Sequence, residues 1–290
     1  RYRYVMDADP TKAAALPHRL RKVFRSLPAC AIAFSGGLDS RFLCHAALLC
    51  GSRVLALHAQ GPHIAAQESA EAQDWARRRG LPLRLVHYSP LPLAEVAANS
   101  RERCYACKRG LMAALRATLA LTGQDAPCTL CDGTNADDMR AFRPGLRALK
   151  EAGVRSPLAE AGLTKDDIRR LARQTGLDRP DQRARPCLLT RLAYGFEPTE
   201  DLLRRLAAAE AALDALPAPA DASAAADAEQ GAALGDFRLR VTPEPLLQAQ
   251  RLPPELRPQV EAILAAHGFA PCTIRLDQDI SGFYDTKKIV

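Results

Sequence analysis

Short runs of apolar residues alternate with amphipathic stretches along most of the chain. An apolar run of roughly four to eight residues is typical of a strand that is buried on both faces. Such strands are predicted at 31–34, 53–59, 83–88 and 128–131. Because helical patterns separate them, the sequence predicts an α/β fold with a doubly wound parallel sheet, in which ligands bind at the carboxyl ends of the strands.

Helices are predicted where apolar residues recur at helical spacing. The first is an amphipathic helix at 11–27, which has an apolar face and a basic opposite face. Another begins at Thr164, where the pattern of Thr164 and Asp167 indicates a capping box, and runs to Gln174. The other predicted helices are 41–49, 65–79, 110–121 and 199–215.

The pattern changes after residue 195. A tract at 217–235 is rich in alanine, aspartate and proline, has little apolar surface to bury, and is predicted to be a flexible linker. Around it, the sequence predicts a small α+β module with strand 237–241, helix 258–267 and strand 273–277. We therefore expect a first domain at 1–195 and a second domain at 196–290.

Composition and charge narrow the class of protein. The chain has 290 residues, 48% of them hydrophobic, which is enough for a sizeable core. No apolar run approaches the ~20 residues of a membrane span, and no signal-peptide pattern begins the sequence, so we expect a cytoplasmic protein with no membrane partner. The net charge of +7 comes from scattered arginines and aromatic residues make up only 5%, which favours a phosphate-bearing small molecule over nucleic acid as the partner.

The stretch FSGGLDS, Phe34–Ser40, lies between the first predicted strand and a helix. Adjacent glycines let the backbone turn sharply and approach a ligand, and the start of the helix offers N–H groups and a positive dipole to an anion. Asp39 could hold a magnesium ion between phosphates. The sequence thus predicts a phosphate-binding loop, although a plain helix cap is the alternative. Its candidate cofactor-binding residues are Ser35, Gly36, Gly37, Asp39 and Ser40.

The chain has nine cysteines, which favours metal binding or catalysis in a reducing compartment. Cys104 and Cys107 form a CxxC motif whose basic neighbours favour the thiolate. The spacing suits zinc, an iron–sulfur cluster or a redox dithiol. Cys187 is predicted to follow the last strand of the sheet, at the rim of the active site. Three thiolates at one rim would hold a [4Fe–4S] cluster with one iron open, whereas the alternative is three unrelated thiols.

The other cysteines are expected in the core. Cys128 and Cys131 form a second CxxC motif, but side chains at this spacing on a strand face opposite sides. A zinc site shared by the two motifs is therefore disfavoured, and Cys131 is expected to be a small core residue. The remaining cysteines lie in apolar contexts typical of the core: Cys30, Cys44, Cys50 and Cys272.

The loop resembles the SGGxDS pattern of the PP-loop ATP pyrophosphatases. Taken with RCYACKR, DGTNADD, RPGLRALKEAGVRSPLAEA and RPCLLTRLAYG in this order, it makes the chain similar to the LarE family, the ATP-dependent sulfur transferases of nickel-pincer nucleotide biosynthesis. The resemblance covers most of 25–195 and, more weakly, the C-terminal module. One departure is that Leu188 and Leu189 follow Cys187, where the family more often has a small residue and a serine before the arginine.

The resemblance implies a reaction in two steps. ATP adenylates a carboxylate of pyridinium-3,5-biscarboxylic acid mononucleotide and pyrophosphate leaves; sulfur held by the protein then displaces AMP to give a thiocarboxylate. It also implies Mg²⁺ at Asp39 and adenosine beside the second strand, where His58 is a candidate ATP-binding residue. A homo-oligomer is carried over from the family.

The source of sulfur has two versions in the family. In one, the residue that matches Cys187 gives up its own sulfur. In the other, three cysteines hold a [4Fe–4S] cluster that delivers sulfide, and sulfide or a sulfur donor restores it. This chain has the CxxC motif, so the cluster version is favoured, with Cys104, Cys107 and Cys187 as its ligands.

Arginines are the candidate substrate-binding residues, because a guanidinium group fits both phosphate and carboxylate. They are Arg143, Arg191, Arg238 and Arg240, and Arg191 joins Cys187 and Asp39 as a candidate catalytic residue. Arg238 and Arg240 share one face of strand 237–241, and a solvated strand face is the alternative for them.

Other functions stay open at this point. The first alternative is a tRNA thiolase of the same superfamily, although its loop commonly has lysine where this chain has Leu38. A non-catalytic zinc- or nucleotide-binding regulator and an amide-forming synthetase are the others.

Overall fold

The computed structural model describes residues 9–121, 128–140, 144–217, 233–278, 280 and 283–286. Contacts divide the chain into two compact units. The first comprises Arg1–Gly61, Gln67–Pro90 and Glu102–Arg185, and the second Pro62–Ala66, Leu91–Arg101 and Pro186–Val290. Cys187 therefore belongs to a different unit from Cys104 and Cys107. The domain boundary after residue 195 stays a prediction.

A parallel sheet forms the centre of the first unit, as the sequence predicts. Its strands lie in the order β3-β2-β1-β4 and every neighbouring pair is parallel. The strands are Ala29–Ala33 (β1), Arg53–Gln60 (β2), Leu83–His87 (β3) and Thr129–Cys131 (β4). The α/β fold class is confirmed.

Helices cover both faces of this sheet, because successive side chains on a strand point to opposite sides. Cys30 and Ile32 on β1 join one apolar cluster, whereas Ala31 joins another with Leu55 and Leu57. The helices between residues 9 and 185 are Pro10–Ala15 (α1), His18–Arg25 (α2), Leu38–Leu49 (α3), Ala66–Arg78 (α4), Ala94–Ala97 (α5), Arg103–Ala120 (α6), Gly145–Glu151 (α7), Pro157–Glu160 (α8) and Lys165–Thr175 (α9). All belong to the first unit except α5 and the first residue of α4, which belong to the second unit.

The single helix predicted at 11–27 is wrong. Two helices, α1 and α2, occupy this stretch, and they are separated at Leu16 and Pro17. Leu16 has an extended backbone because the ring of a following proline disfavours the helical conformation. The apolar face is nevertheless buried, with Leu20 and Phe24 in the core.

The helix predicted from Gly110 begins earlier. Helix α6 starts at Arg103, so Cys104 and Cys107 lie within its first turns and not in a preceding segment. Gly110 is an interior residue there. A Cβ at that position would lie 2.5 Å from the Tyr88 hydroxyl, so close packing accounts for the glycine.

The second unit contains a separate three-stranded sheet with the order β5-β6-β7. Strands β5 and β6 are antiparallel, and β6 and β7 are parallel. The sequence predicts the outer two strands and misses the central one. The elements are Glu200–Asp214 (α10), Phe237–Arg240 (β5), Leu246–Ala249 (β6), Arg257–Ala266 (α11), Thr273–Leu276 (β7) and Phe283–Thr286 (α12).

Two sequence predictions remain, a flexible linker at 217–235 and the lack of a membrane span. Most of the linker predicted at 217–235 lies outside the described residues. In the part of the chain that is described, none of the helices combines the length and the apolar character that a bilayer crossing needs.

Candidate active site

A glycine turn joins β1 to α3 at the carboxyl end of the sheet. Gly36 has a φ of +79°, a conformation that residues with a side chain rarely adopt, and a Cβ there would lie 2.5 Å from the Cβ of Ala72. Gly37 is the N-cap of α3 and forms no side-chain cap hydrogen bond. The first turn of α3 therefore directs its backbone dipole at the loop with no cap side chain over it, an arrangement that suits a phosphate.

Hydroxyl groups brace this turn. Ser40 Oγ donates to the carbonyl oxygen of Gly37 at 3.0 Å, and the Gly37 N–H donates to Ser35 Oγ at 3.3 Å. The two hydroxyl oxygens of Ser35 and Ser40 are 3.2 Å apart. Ser35 is exposed and Ser40 is buried. The Ser35 hydroxyl therefore faces solvent, whereas the Ser40 hydroxyl stabilises the turn from inside the protein.

Asp39 has a partner that the sequence prediction missed. Lys165 Nζ lies 2.7 Å from each carboxylate oxygen of Asp39. Both side chains are about a quarter exposed, at 26% and 25%. The capping box at Thr164 is confirmed and makes Lys165 the first residue of α9. That signal fixes where the helix begins, but the contact with a loop more than a hundred residues away in sequence needs the tertiary fold.

The segment after β4 packs against the start of α3. A Cβ on Gly133 would lie 3.1 Å from the Ser40 backbone nitrogen, so glycine permits this approach. Asp132 accepts hydrogen bonds from Ser156 Oγ and Thr134 Oγ1, both at 2.7 Å. Its carboxylate thus stabilises the loop that follows the strand.

His58 lies inside the sheet and under the loop. One ring nitrogen is 2.8 Å from the carbonyl oxygen of Phe34 and the other is 2.8 Å from Ser69 Oγ. Burial lowers the pKa of this imidazole, an effect partly opposed by its hydrogen bond to the Phe34 backbone. The neutral ring therefore links β2 to the residue that precedes the glycine turn. Its predicted contact with ATP stays a prediction.

Cys104 and Cys107 share one side of α6, since they are separated by about one turn. Cys104 is exposed and Cys107 is partly buried. Tyr88, just after β3, donates from its hydroxyl to the carbonyl oxygen of Cys107 at 2.8 Å and fixes the helix start to the sheet edge. Two thiols on the first turns of a helix, where the dipole favours negative charge, suit a soft metal ligand pair.

Cys187 does not follow a strand of the sheet, so that prediction is wrong. It is the N-cap of a short 3₁₀ helix, Leu188–Arg191, in the second unit. The Leu188 N–H donates to the His63 carbonyl oxygen at 3.0 Å, and Thr190 Oγ1 donates to the Cys187 carbonyl oxygen at 2.8 Å. These bonds hold the backbone of a partly buried cysteine.

Arg191 anchors the same segment. Its guanidinium group forms a bidentate pair with Glu210, with Nε–Oε1 and Nη2–Oε2 distances of 3.0 Å and 2.8 Å. Nη1 donates to the carbonyl oxygen of Pro186 at 2.8 Å, so Arg191 holds the residue next to Cys187. Glu210 also accepts from the Leu239 N–H at 2.9 Å, which links α10 to β5.

Arg240 is buried, so the solvated-face alternative is wrong for this residue. It donates to Gln248 Oε1 at 3.1 Å and to the Thr190 carbonyl oxygen at 3.2 Å. Burial, and next the positive charge of Arg191, lower the pKa of Arg240 to about 10. Arg238 is only partly buried and donates to the Phe237 carbonyl oxygen at 2.6 Å.

The second unit thus brings together three of the four predicted substrate-binding arginines, since the charges of Arg191 and Arg238 both act on Arg240. The fourth, Arg143, lies outside the described residues. In the described part of the chain, three or more Cys, His, Asp or Glu side chains nowhere gather in a group that could hold a metal ion.

A parallel α/β sheet with a diglycine turn from its first strand into a helix defines a protein with the PP-loop type of fold. No family model matches the chain. It is 31% identical to the pyridinium-3,5-bisthiocarboxylic acid mononucleotide synthase of Lactiplantibacillus plantarum, over 72% of this chain and 74% of that protein. The chain belongs to the LarE family.

Two other relatives are uncharacterized proteins. One from Synechocystis is 36% identical over 66% of this chain and 70% of its own length. One from Methanocaldococcus jannaschii is 30% identical over 67% of this chain and 73% of its own length. The likeness therefore extends to bacterial and archaeal proteins.

Proposed function

We propose that this chain is an ATP-dependent sulfur transferase. Its substrate is pyridinium-3,5-biscarboxylic acid mononucleotide, its products are the thiocarboxylate, AMP and pyrophosphate, and its nucleotide is bound with Mg²⁺. The observation that carries the proposal is the 31% identity, over most of both chains, with a protein named for the synthesis of the bisthiocarboxylic acid mononucleotide. The geometry of the loop and the chemistry of the cysteines support it.

In this proposal the glycine turn binds the phosphates of ATP. Backbone N–H groups at the start of α3 and the hydroxyl of Ser35 face the triphosphate, while Gly36 and Gly37 keep side chains out of its way. Asp39 is an oxygen ligand of the kind that Mg²⁺ prefers, and its carboxylate is partly exposed at the loop. The metal would neutralise charge on the phosphates.

The first step activates the substrate. A carboxylate oxygen attacks the α-phosphorus of ATP, a new P–O bond forms, and the bond between the α-phosphorus and the bridging oxygen breaks. Pyrophosphate leaves with the electron pair of that bond, and the acyl adenylate remains. Positive charge and N–H donors around the turn stabilise the departing pyrophosphate. Stabilisation of charge that develops in the transition state is usually the largest single contribution to catalysis.

The second step delivers sulfur. A sulfur nucleophile attacks the carbonyl carbon, a C–S bond forms, and the C–O bond to AMP breaks with its electron pair on AMP. We assign Cys104, Cys107 and Cys187 as the ligands of a [4Fe–4S] cluster that would supply this sulfur, replenished by sulfide or a sulfur donor. The thiol ligand type fits such a cluster, and Cys104 and Cys107 share one helix side.

Arginines of the second unit are proposed to bind the substrate. Arg238 is the most accessible of the three described candidates and suits the phosphate of the mononucleotide. Arg191 and Arg240 are buried and already bonded within the protein, so they position the Cys187 segment and add positive charge behind Arg238. Arg143 completes the proposed set, and a homo-oligomer is carried with the family.

The test is to measure iron and acid-labile sulfide per chain after anaerobic reconstitution, together with thiocarboxylate formed per chain. Wild type should bind roughly four of each and turn over repeatedly when sulfide is supplied. Cys187→Ala should lose the bound iron and sulfide and the repeated turnover. Cys272→Ala, which changes a partly buried cysteine outside the proposed set, should keep them. If each chain forms only one thiocarboxylate and Cys187 loses the mass of hydrogen sulfide, the sulfur donor is Cys187 itself and not a cluster. No thiocarboxylate under any condition would overturn the proposed function.

A further inference from the structure

Arg41 directly follows the proposed phosphate-binding loop, and the proposed activity leaves its side chain without a role. The residue lies on the first turn of α3, next to Ser40, and 0% of its surface is exposed. Burying a charged group is costly unless the protein supplies partners for it. The partners of Arg41 therefore show what this side chain holds.

The guanidinium group of Arg41 binds a short stretch of chain after α9. Nη1 donates to the Asp178 carbonyl oxygen at 2.8 Å, and Nη2 donates to the Arg179 carbonyl oxygen at 3.0 Å. Nη2 also donates to the side-chain oxygen of Gln182, a residue that is itself buried. One planar group thus binds acceptors from residues 178–182, a task that suits the rigid fork of an arginine.

Side chains hold this stretch because it has no regular structure. Residues 177–187, all of them described, contain neither a helix nor a strand. The carboxylate of Asp178 accepts from Trp75 Nε1 at 2.9 Å and from Arg79 Nη2 at 2.7 Å, and it lies 3.5 Å from Arg41 Nη1. Asp178 therefore keeps two partners when Arg41 is replaced, so such a variant does not leave the carboxylate isolated.

The anchored stretch leads directly to Cys187. Arg185 Nη1 donates to Glu71 Oε2 on α4 at 2.7 Å, which attaches the end of the stretch to the first unit a second time. Cys187 follows Gln182 by five residues, and an extended chain covers at most about 18 Å in that length. Chain connectivity alone therefore limits how far Cys187 lies from the residues that Arg41 holds.

We propose that Arg41 is a positioning residue for sulfur delivery, because it keeps the stretch that leads to Cys187 attached next to the glycine turn. This inference rests on the proposed function and adds a residue to it. The acyl adenylate of the first step has its phosphate at the turn, and the sulfur of the second step must reach the carbonyl carbon beside that phosphate. Arg41 forms no covalent bond and acts only through the chain that it holds.

Limited trypsin digestion tests the attachment itself. The bond to follow is Arg183–Ala184, because the two other arginines of the stretch, Arg179 and Arg185, each precede a proline and such bonds resist trypsin. Arg41→Met should raise the cleavage rate at this bond about 10- to 100-fold. That factor is the increase in the open population expected when hydrogen bonds to a charged group are lost.

Arg79→Met is the matched control for this digestion. It removes the other arginine that pairs with Asp178, and it leaves the bonds from Arg41 to the two carbonyl oxygens in place. Because the pair of Arg79 and Asp178 is partly exposed, its loss should change the cleavage rate by no more than about fivefold.

Rapid-quench single turnovers with ATP, Mg²⁺ and the pyridinium substrate separate the two chemical steps. Arg41→Met should release pyrophosphate at the wild-type rate and form the thiocarboxylate at least about 10-fold more slowly. A purely structural side chain would change both steps together. Gln182→Met removes one acceptor of Arg41 and should show the same pattern with smaller changes, so it carries the test if Arg41→Met does not fold.

Either of two results would overturn the inference alone. One is cleavage at Arg183–Ala184 in the folded Arg41→Met protein at the rate of Arg79→Met. The other is pyrophosphate release and thiocarboxylate formation slowed by the same factor. A wild-type protein that releases no pyrophosphate with the pyridinium substrate would instead overturn the proposed function. The trypsin comparison would then still decide whether Arg41 anchors the stretch, so the two failures are distinguishable.

Discussion

The glycine turn of the first unit and the Cys187 segment of the second unit are both short stretches that carry proposed chemistry. The turn is held by local contacts: a glycine has a positive φ, and the hydroxyl groups of Ser35 and Ser40 form hydrogen bonds with the Gly37 backbone. The Cys187 segment is held by distant side chains, above all the pair of Arg191 and Glu210. The local geometry that holds the turn is predictable from a short motif, whereas the ion pair that holds the Cys187 segment is not, because Glu210 lies outside the motif.

The largest effect is expected when the Cys187 segment loses its anchor. Arg191→Met should lower the free energy of unfolding by about 3 kcal/mol, because it leaves the partly buried carboxylate of Glu210 without its charged partner. Replacing both residues by methionine should restore much of that stability. Urea unfolding measures both, and peptide mapping of alkylated thiols should show faster labelling of Cys187 in the single variant. Equal stability of the single and double variants would contradict this account.

The next effect tests the local geometry of the turn. Gly36→Ala should cost about 2 to 4 kcal/mol, since it combines a strained positive φ with a Cβ that would lie 2.5 Å from the Ala72 side chain. Gly51→Ala is the matched control: its φ is +81° and a Cβ there meets nothing within 4 Å. It should cost only about 1 kcal/mol. Thermal unfolding compares the two, and similar losses would show that the contact with Ala72 is unimportant.

A third prediction compares the two units through buried histidines. Burial lowers the pKa of His45 in the first unit to about 4 and that of His63 in the second unit to about 4, from an ordinary value of 6.5. The unfolded chain therefore binds more protons between these values, and stability should fall as pH drops from 6.5 toward 4. At pH 5 the loss is about 2 kcal/mol for each histidine.

Urea unfolding at pH 7 and pH 5 measures this dependence. His45→Gln should remove about half of this pH dependence, and His63→Gln should remove about the other half, because the two pKa values are lowered alike. An unchanged slope in either variant would show that the corresponding histidine is not neutral in the folded protein.

The smallest effect concerns helix caps in the two units. Thr164 Oγ1 accepts from the Asp167 N–H in a capping box at α9, and Thr199 Oγ1 accepts from the Leu202 N–H at α10. Either threonine replaced by alanine should cost about 1 kcal/mol by thermal unfolding. A loss well below this value in either variant would show that the corresponding cap hydrogen bond contributes little to stability.

Several elements were predictable because their signals are local. The apolar runs predict β1 to β4, the spacing of Thr164 and Asp167 predicts the start of α9, and two adjacent glycines predict the turn. The start of α6 was missed because Gly110 reads as a helix boundary, whereas close packing against Tyr88 explains it. Strand β6 is as long as β5 and β7, but it was missed because Pro243 and Pro245 just before it are typical of a turn or loop.

The parallel α/β fold, the glycine turn and the CxxC motif are predictable from the sequence, since each depends on residues close together along the chain. Which charged side chains meet depends instead on how the chain folds. Lys165 reaches Asp39, Glu210 holds Arg191, and Arg240 is buried although it alternates on a strand like a surface residue. Such pairs join positions far apart in sequence, and a local pattern contains no information on which carboxylate a lysine or arginine will approach once the chain has folded.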